Sequence, residues 1–146
     1  MDKKVDLLRH LINLAPSTSL LKVNGFHLGF IADTSLQRLF HFDDLSKRQK
    51  ITGYIIPLTV ELKSIFINIL DLEKDQLICE MTHFCIEDKS ELLAVSYDTM
   101  DFLQIKKYAF NGLDDKVINQ FSELEIELAE KIDDFGFFKE IKFASA

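Results

Sequence analysis

The stretch from Leu45 to Leu72, LSKRQKITGYIIPLTVELKSIFINILDL, is the longest patterned run in the chain. Wound at about 100° per residue, Ile51, Tyr54, Ile55, Leu58, Leu62, Ile65, Phe66, Ile69 and Leu72 fall in one sector of roughly 120°. The stripe stays in phase across Pro57, so the spacing predicts one long helix over 45–72 with the fold built around it. Ile56, Val60 and Ile67 fall on the opposite side, which leaves a second apolar stripe for a second contact. Pro57 removes a backbone donor and presses its ring on the carbonyl of Gly53, a cost of about 3 kcal/mol in an ordinary helix. A kink, or two abutting helices, is expected there. The competing reading takes IFINIL as a strand for its β-branched residues. Strict alternation fails at Ile69-Leu70, whereas the helical stripe does not.

A chain of 146 residues is one domain by size and buries a self-sufficient core without disulfides or metal. Its hydrophobic share of 47% and its 13 Phe imply an ordered protein. The net charge of −7 argues against phosphate-backbone binding, which needs clustered cations, and against docking on anionic lipid. No nucleic acid and no membrane partner are expected. No run reaches the roughly 18 apolar residues of a membrane span, and His10 and Asn13 interrupt what a signal peptide would keep apolar. A cytoplasmic location follows as the expectation. Cys79 and Cys85 would lie roughly 20 Å apart on one extended strand, too far to bond, so free thiols are expected.

Taken in order, Val5, Leu8, Leu11, Ile12 and Ala15 recur at helical spacing, and Pro16 ends this first helix. Leu20 to Phe42 reads as two strands, with Asn24-Gly25 suited to a tight type I′ turn. After the long helix, Leu77–Ile86, Glu91–Tyr97 and Phe102–Phe110 read as a meander of three antiparallel strands with short polar turns. Asp114 or Asp115 caps a third helix to about Asp133, with Val117, Ile118, Phe121, Leu124, Leu128, Ile132 and Phe135 as its buried stripe. Glu123, Glu125, Glu127, Glu130 and Asp133 occupy its other faces. Residues 135–146 add an aromatic extension, FGFFKEIKF, read as a short strand or a docking tail. The expected fold is α+β: one domain over 1–146, a five-stranded antiparallel sheet, and the order α-β-β-α-β-β-β-α.

Residues capable of chemistry are sparse. Cys79, Met81, His83 and Cys85 would share one face of a strand, but ligands in line on a strand diverge, whereas tetrahedral zinc needs them to converge. Buried soft side chains are the plainer reading. His10, His27, His41 and His83 sit among apolar neighbours. His27 and His41 would approach each other if their strands pair, with Asp43 and Asp44 nearby, yet nothing selects a nucleophile. Five scattered glycines supply no phosphate-binding loop. No catalytic residue, cofactor or metal is assigned.

The order helix, two strands, long helix, three strands, helix resembles the Roadblock (dynein light-chain type) superfamily, close in fold to longin and profilin domains. The resemblance covers Val5 to about Ile132 and rests on no catalytic signature. It implies a non-enzymatic scaffold that regulates or holds a small GTPase and pairs as a homodimer through its middle helix and the edge strand after it. Here that interface would be Ile56, Val60 and Ile67 on the helix, with Leu77, Cys79, Met81 and His83 on the edge strand. The long segment before the first turn and the aromatic tail depart from the family. Two other classes stay open. One is a small acidic cytoplasmic protein that binds a single cognate partner, as a toxin immunity protein or a secretion chaperone does. The other is a small-molecule sensor, which would need a deep pocket between sheet and helix.

Overall fold

A computed structural model describes residues 2–24, 53–133, 138 and 143–145. It is an α+β structure. In chain order its elements are α1 (Asp2–Leu14), β1 (Leu20–Asn24), β2 (Gly53–Pro57), α2 (Val60–Glu73), α3 (Asp75–Glu80), β3 (His83–Asp88), β4 (Glu91–Tyr97), β5 (Phe102–Lys106), α4 (Asp115–Ile118) with a 3₁₀ turn at Asn119–Phe121, β6 (Glu125–Ala129) and β7 (Phe143–Ser145). The strands form one seven-stranded sheet in the order β6-β5-β4-β3-β1-β2-β7. β5 and β6 run parallel, as do β2 and β7, and the other pairs are antiparallel. The sheet is therefore larger than the expected five antiparallel strands, and mixed.

The main correction falls on the long helix. Gly53–Pro57 is a strand between β1 and β7, with Tyr54 and Ile56 turned into the core. Proline explains the boundary. Its ring pushes the preceding residue toward extended backbone, so Ile56 is strand-like. Pro57 also lies beyond the Gly53–Ile55 stretch that pairs with β7, where its missing N–H costs no ladder bond on that side. The helix restarts at Val60 because Thr59, itself extended, accepts a hydrogen bond from the Leu62 N–H at 3.2 Å. The part of the expected helix over 45–52, and the hairpin expected after Asn24, lie outside the described residues.

Two further boundaries move. Leu77 belongs to α3, not to the strand expected from it, and the strand begins at His83. The third helix is a single turn plus a 3₁₀ turn. From Glu125 the chain becomes β6, where Ile126 and Leu128 face the main core and Glu125 and Glu127 do not. The C-terminal extension contributes β7, which ends the described sheet beyond β2.

One sheet face carries α1, α2 and α3. Leu8, Leu11 and Ile12 of α1, Phe66 and Leu70 of α2, and Leu77 and Ile78 of α3 are buried against Leu21, Ile56, Phe84, Ile86 and Leu103 of the sheet. This interlayer is filled by side chains. Arg9 ties the two longer helices by an ion pair to Asp71 at 2.6 Å, which also raises the guanidinium pKa. Lys63 caps the last turn of α1 by donating to the Ala15 carbonyl, and burial pushes its amine below the ordinary lysine range. On the opposite face a smaller cluster joins Cys85 and Val95 to Ile132 and Phe138. These two residues belong to the segment joining β6 at one edge to β7 at the other.

Candidate functional site

The residues expected to form a helix-and-edge interface do not assemble into one. Ile56, Leu77 and Met81 are core residues with at most 1% of their surface exposed. Ile67 packs partly against the core, and His83 is half-buried at the start of β3. Val60, at the N-terminus of α2, and Cys79, on α3, are the exposed members. β3 itself is interior, flanked by β1 and β4, so it offers no edge. The helical phase that separated Ile56, Val60 and Ile67 as one stripe is broken because Ile56 lies on a strand and Val60 on a helix.

The Cys79, Met81, His83, Cys85 series is broken for the same reason. Cys79 is on a helix surface and Cys85 is buried in the second sheet face, and among the described residues no three His, Cys, Asp or Glu come together as metal ligands would. His83 accepts a hydrogen bond from the Asp98 N–H at 3.1 Å and leans on Tyr97, holding the β4–β5 loop. His10 is exposed on α1 and meets Phe121 edge to face, with ring centroids 5.9 Å apart. His27, His41, Asp43 and Asp44 lie outside the described residues.

Two concavities do have chemistry. The first lies beside the β6 edge, a cavity of about 450 Å³ between β5, β6 and the loop 107–114. Ile105, Phe110, Leu113 and Leu128 supply apolar walls, and Asp114 and Asp115 stand at its rim. Tyr108 also lines it, yet is 94% exposed and held at φ +66°. A tyrosine in the left-handed region is uncommon, and such strain collects where a side chain must be presented. Gly112, at φ +92°, lets the loop close over Leu14.

Among the described residues β6 has a strand neighbour, β5, on one side only. Glu125 and Glu127 are exposed toward the second sheet face, while Ile126 and Leu128 are half-buried toward the helical face. Glu123 and Glu130 extend the acidic line at both ends. Among the described residues neutralisation is weak: Lys107 reaches Glu130 at 3.5 Å, with Glu130 83% exposed, and Gln104 donates to Glu127 at 3.4 Å. Sequence reasoning found these carboxylates exposed but put them on a helix. The period-two run Glu125-Ile126-Glu127-Leu128 was the signal for a strand.

The second concavity, about 860 Å³, lies on the opposite sheet face between β1, β3, β4, residues 130–133 and Phe138. It is lined by Cys85, Leu92, Ile132 and Phe138 and by charged side chains, of which Lys22 pairs with Glu87 at 2.6 Å and Lys106 pairs with Glu91. Internal pairing consumes much of its charge.

Comparison of the chain with protein-family models, with curated proteins and with solved structures returns no match. The resemblance to Roadblock domains thus rests on the order of elements alone. No described helix is long and apolar enough to cross a membrane.

Proposed function

We propose that this chain is a non-enzymatic binding module for one basic protein partner. The observation that carries this reading is the β6 edge, where exposed Glu125 and Glu127 alternate with half-buried Ile126 and Leu128. Exposed carboxylates along such a strand speed encounter with a cationic partner, and salt screens the attraction. Of the partner classes, a single cognate toxin or effector fits this better than a small GTPase held through a central helix. The helix-and-edge surface that a Roadblock-type homodimer would use is divided between core and surface. A homodimer through β6 would set Glu125 and Glu127 of two copies near each other, and like charges across a strand pair are destabilising.

A small-molecule reading is favoured by one feature, the 860 Å³ cavity on the second face. It is not the pocket between sheet and helix that a sensor was expected to use, because that layer is filled by Leu8, Leu11, Phe66 and Leu70.

Affinity capture with the tagged chain in cells of its source tests the proposal. A single stoichiometric basic protein is expected, retained by wild type, released by raised salt and lost with the double variant Glu125→Lys/Glu127→Lys. Capture of no stoichiometric protein, or of one indifferent to salt and to the charge reversal, would contradict it.

A further inference from the structure

We infer that the partner is engaged by strand addition: an extended segment with basic and apolar residues in alternation pairs with the outer side of β6. This rests on the protein-binding reading above and specifies its chemistry. β6 ends the sheet, so the backbone groups on its outer side have no strand partner among the described residues. An edge of this kind is a template for another strand.

The side chains on the two faces of the edge then select the occupant. A strand laid beside β6 points alternate residues to opposite sheet faces. Those turned to the helical face meet Ile126 and Leu128, which the core covers only in part, and the 450 Å³ cavity walled by Ile105, Phe110 and Leu113. That cavity has room for a medium-sized apolar side chain, and Tyr108 stands exposed beside it to cover the anchor. Residues turned to the other face meet Glu125 and Glu127, both exposed. Lysine or arginine is the complement there. An acidic or uniformly apolar segment would leave these carboxylates repelled or desolvated.

A second copy of this chain is the poorer occupant. Its own β6 brings Glu125 and Glu127, not cations, to the carboxylate face. Charge therefore points to a foreign segment.

The test titrates isotope-labelled protein with a short alternating Lys-Val peptide, capped at both ends, and with the block isomer of the same composition. Binding of the alternating peptide is expected to be tighter by at least about tenfold, with backbone shifts centred on 125–129 and on the loop 107–114. Glu125→Lys/Glu127→Lys should abolish it, and Glu125→Gln/Glu127→Gln should weaken it with a shallower salt dependence. Both variants change exposed positions, and circular dichroism verifies that they fold. Equal affinity for the two isomers, or shifts that map away from β6, would overturn strand addition. If the peptides fail in this way while a native basic partner is still captured in a charge-dependent manner, the protein-binding reading survives and only the mode of engagement is wrong.

Discussion

Ile56→Asp should leave no cooperatively folded protein at 25 °C. Ile56 is fully buried on β2, opposite Leu21 of β1, and faces the layer formed with α1 and α2. An aspartate there loses the apolar burial and places a carboxyl group among apolar core side chains. Burial of an unpaired charge belongs with the largest single-residue effects, above about 4 kcal/mol, against a total stability of about 5–15 kcal/mol for an ordinary domain. Circular dichroism and urea titration read the result. The substitution also separates the two accounts of this stretch. On a helix over 45–72, Ile56 lies on the outward stripe, and an acid there would dissociate an assembly while sparing the fold. A variant with a urea transition like that of wild type would therefore reject β2.

Phe84→Ala should cost about 3–5 kcal/mol. Phe84 is fully buried on β3, paired to Val23 on one side and Ser96 on the other, in the interior of the sheet. Neither neighbour can fill the space the ring leaves: Val23 is stiff at its branched carbon, and Ser96 is small, with its buried hydroxyl unpartnered among the described residues. The urea midpoint should fall by roughly 2 M, the slope being about 1–3 kcal/mol per M for proteins of modest size. Tyr108→Ala serves as the control. The ring is 94% exposed, and alanine inherits the same positive φ, so the change in stability should stay within about 0.5 kcal/mol. A midpoint for Phe84→Ala close to that of the Tyr108 control would contradict the placement of β3 at the centre of the core.

What could be read in advance was local and periodic. Val5, Leu8, Leu11, Ile12 and Ala15 repeat at helical spacing; the first four are buried on α1, and Ala15 is buried just past its end. The meander was legible because its turns are short and polar. At the first of them Lys89 and Ser90 both take positive φ, the I′ geometry that suits the twist of a hairpin. The errors came where one apolar set satisfied two periods. Tyr54, Ile55 and Leu58 fit a helix at i, i+1 and i+4, while Tyr54 and Ile56 fit a strand, and only Pro57 and the capping Thr59 distinguish them. Val117, Ile118, Phe121 and Leu124 follow helical spacing truly, through α4 and the 3₁₀ turn, so extending that phase into Ile126 and Leu128 concealed the switch to β6.

The remaining features were not local. Parallel pairing of β6 with β5, and of β7 with β2, joins segments whose partners no short window contains. The candidate site depends on one of those pairings. Glu123, Glu125, Glu127 and Glu130 could be identified as exposed from charge alone, but their meaning changes once they line the strand that ends the described sheet and not one side of a helix. The residues expected at an interface, Ile56, Val60, Ile67, Leu77, Cys79, Met81 and His83, are dispersed for the converse reason. That interface depended on one helix and one edge strand that the chain divides among a strand, two helices and an interior strand.

Amide hydrogen exchange tests the proposed partner-binding role of β6 without substitution. Edge strands with few buried contacts open at low free energy, so their amides exchange early. In the free protein the amides of 125–129 should exchange faster than those of β3 and β4. With the captured native partner bound, those of 125–129 should slow most, with those of the loop 107–114 following. Unchanged exchange at β6 beside new protection elsewhere, on α2 or around the 860 Å³ cavity, would contradict the account.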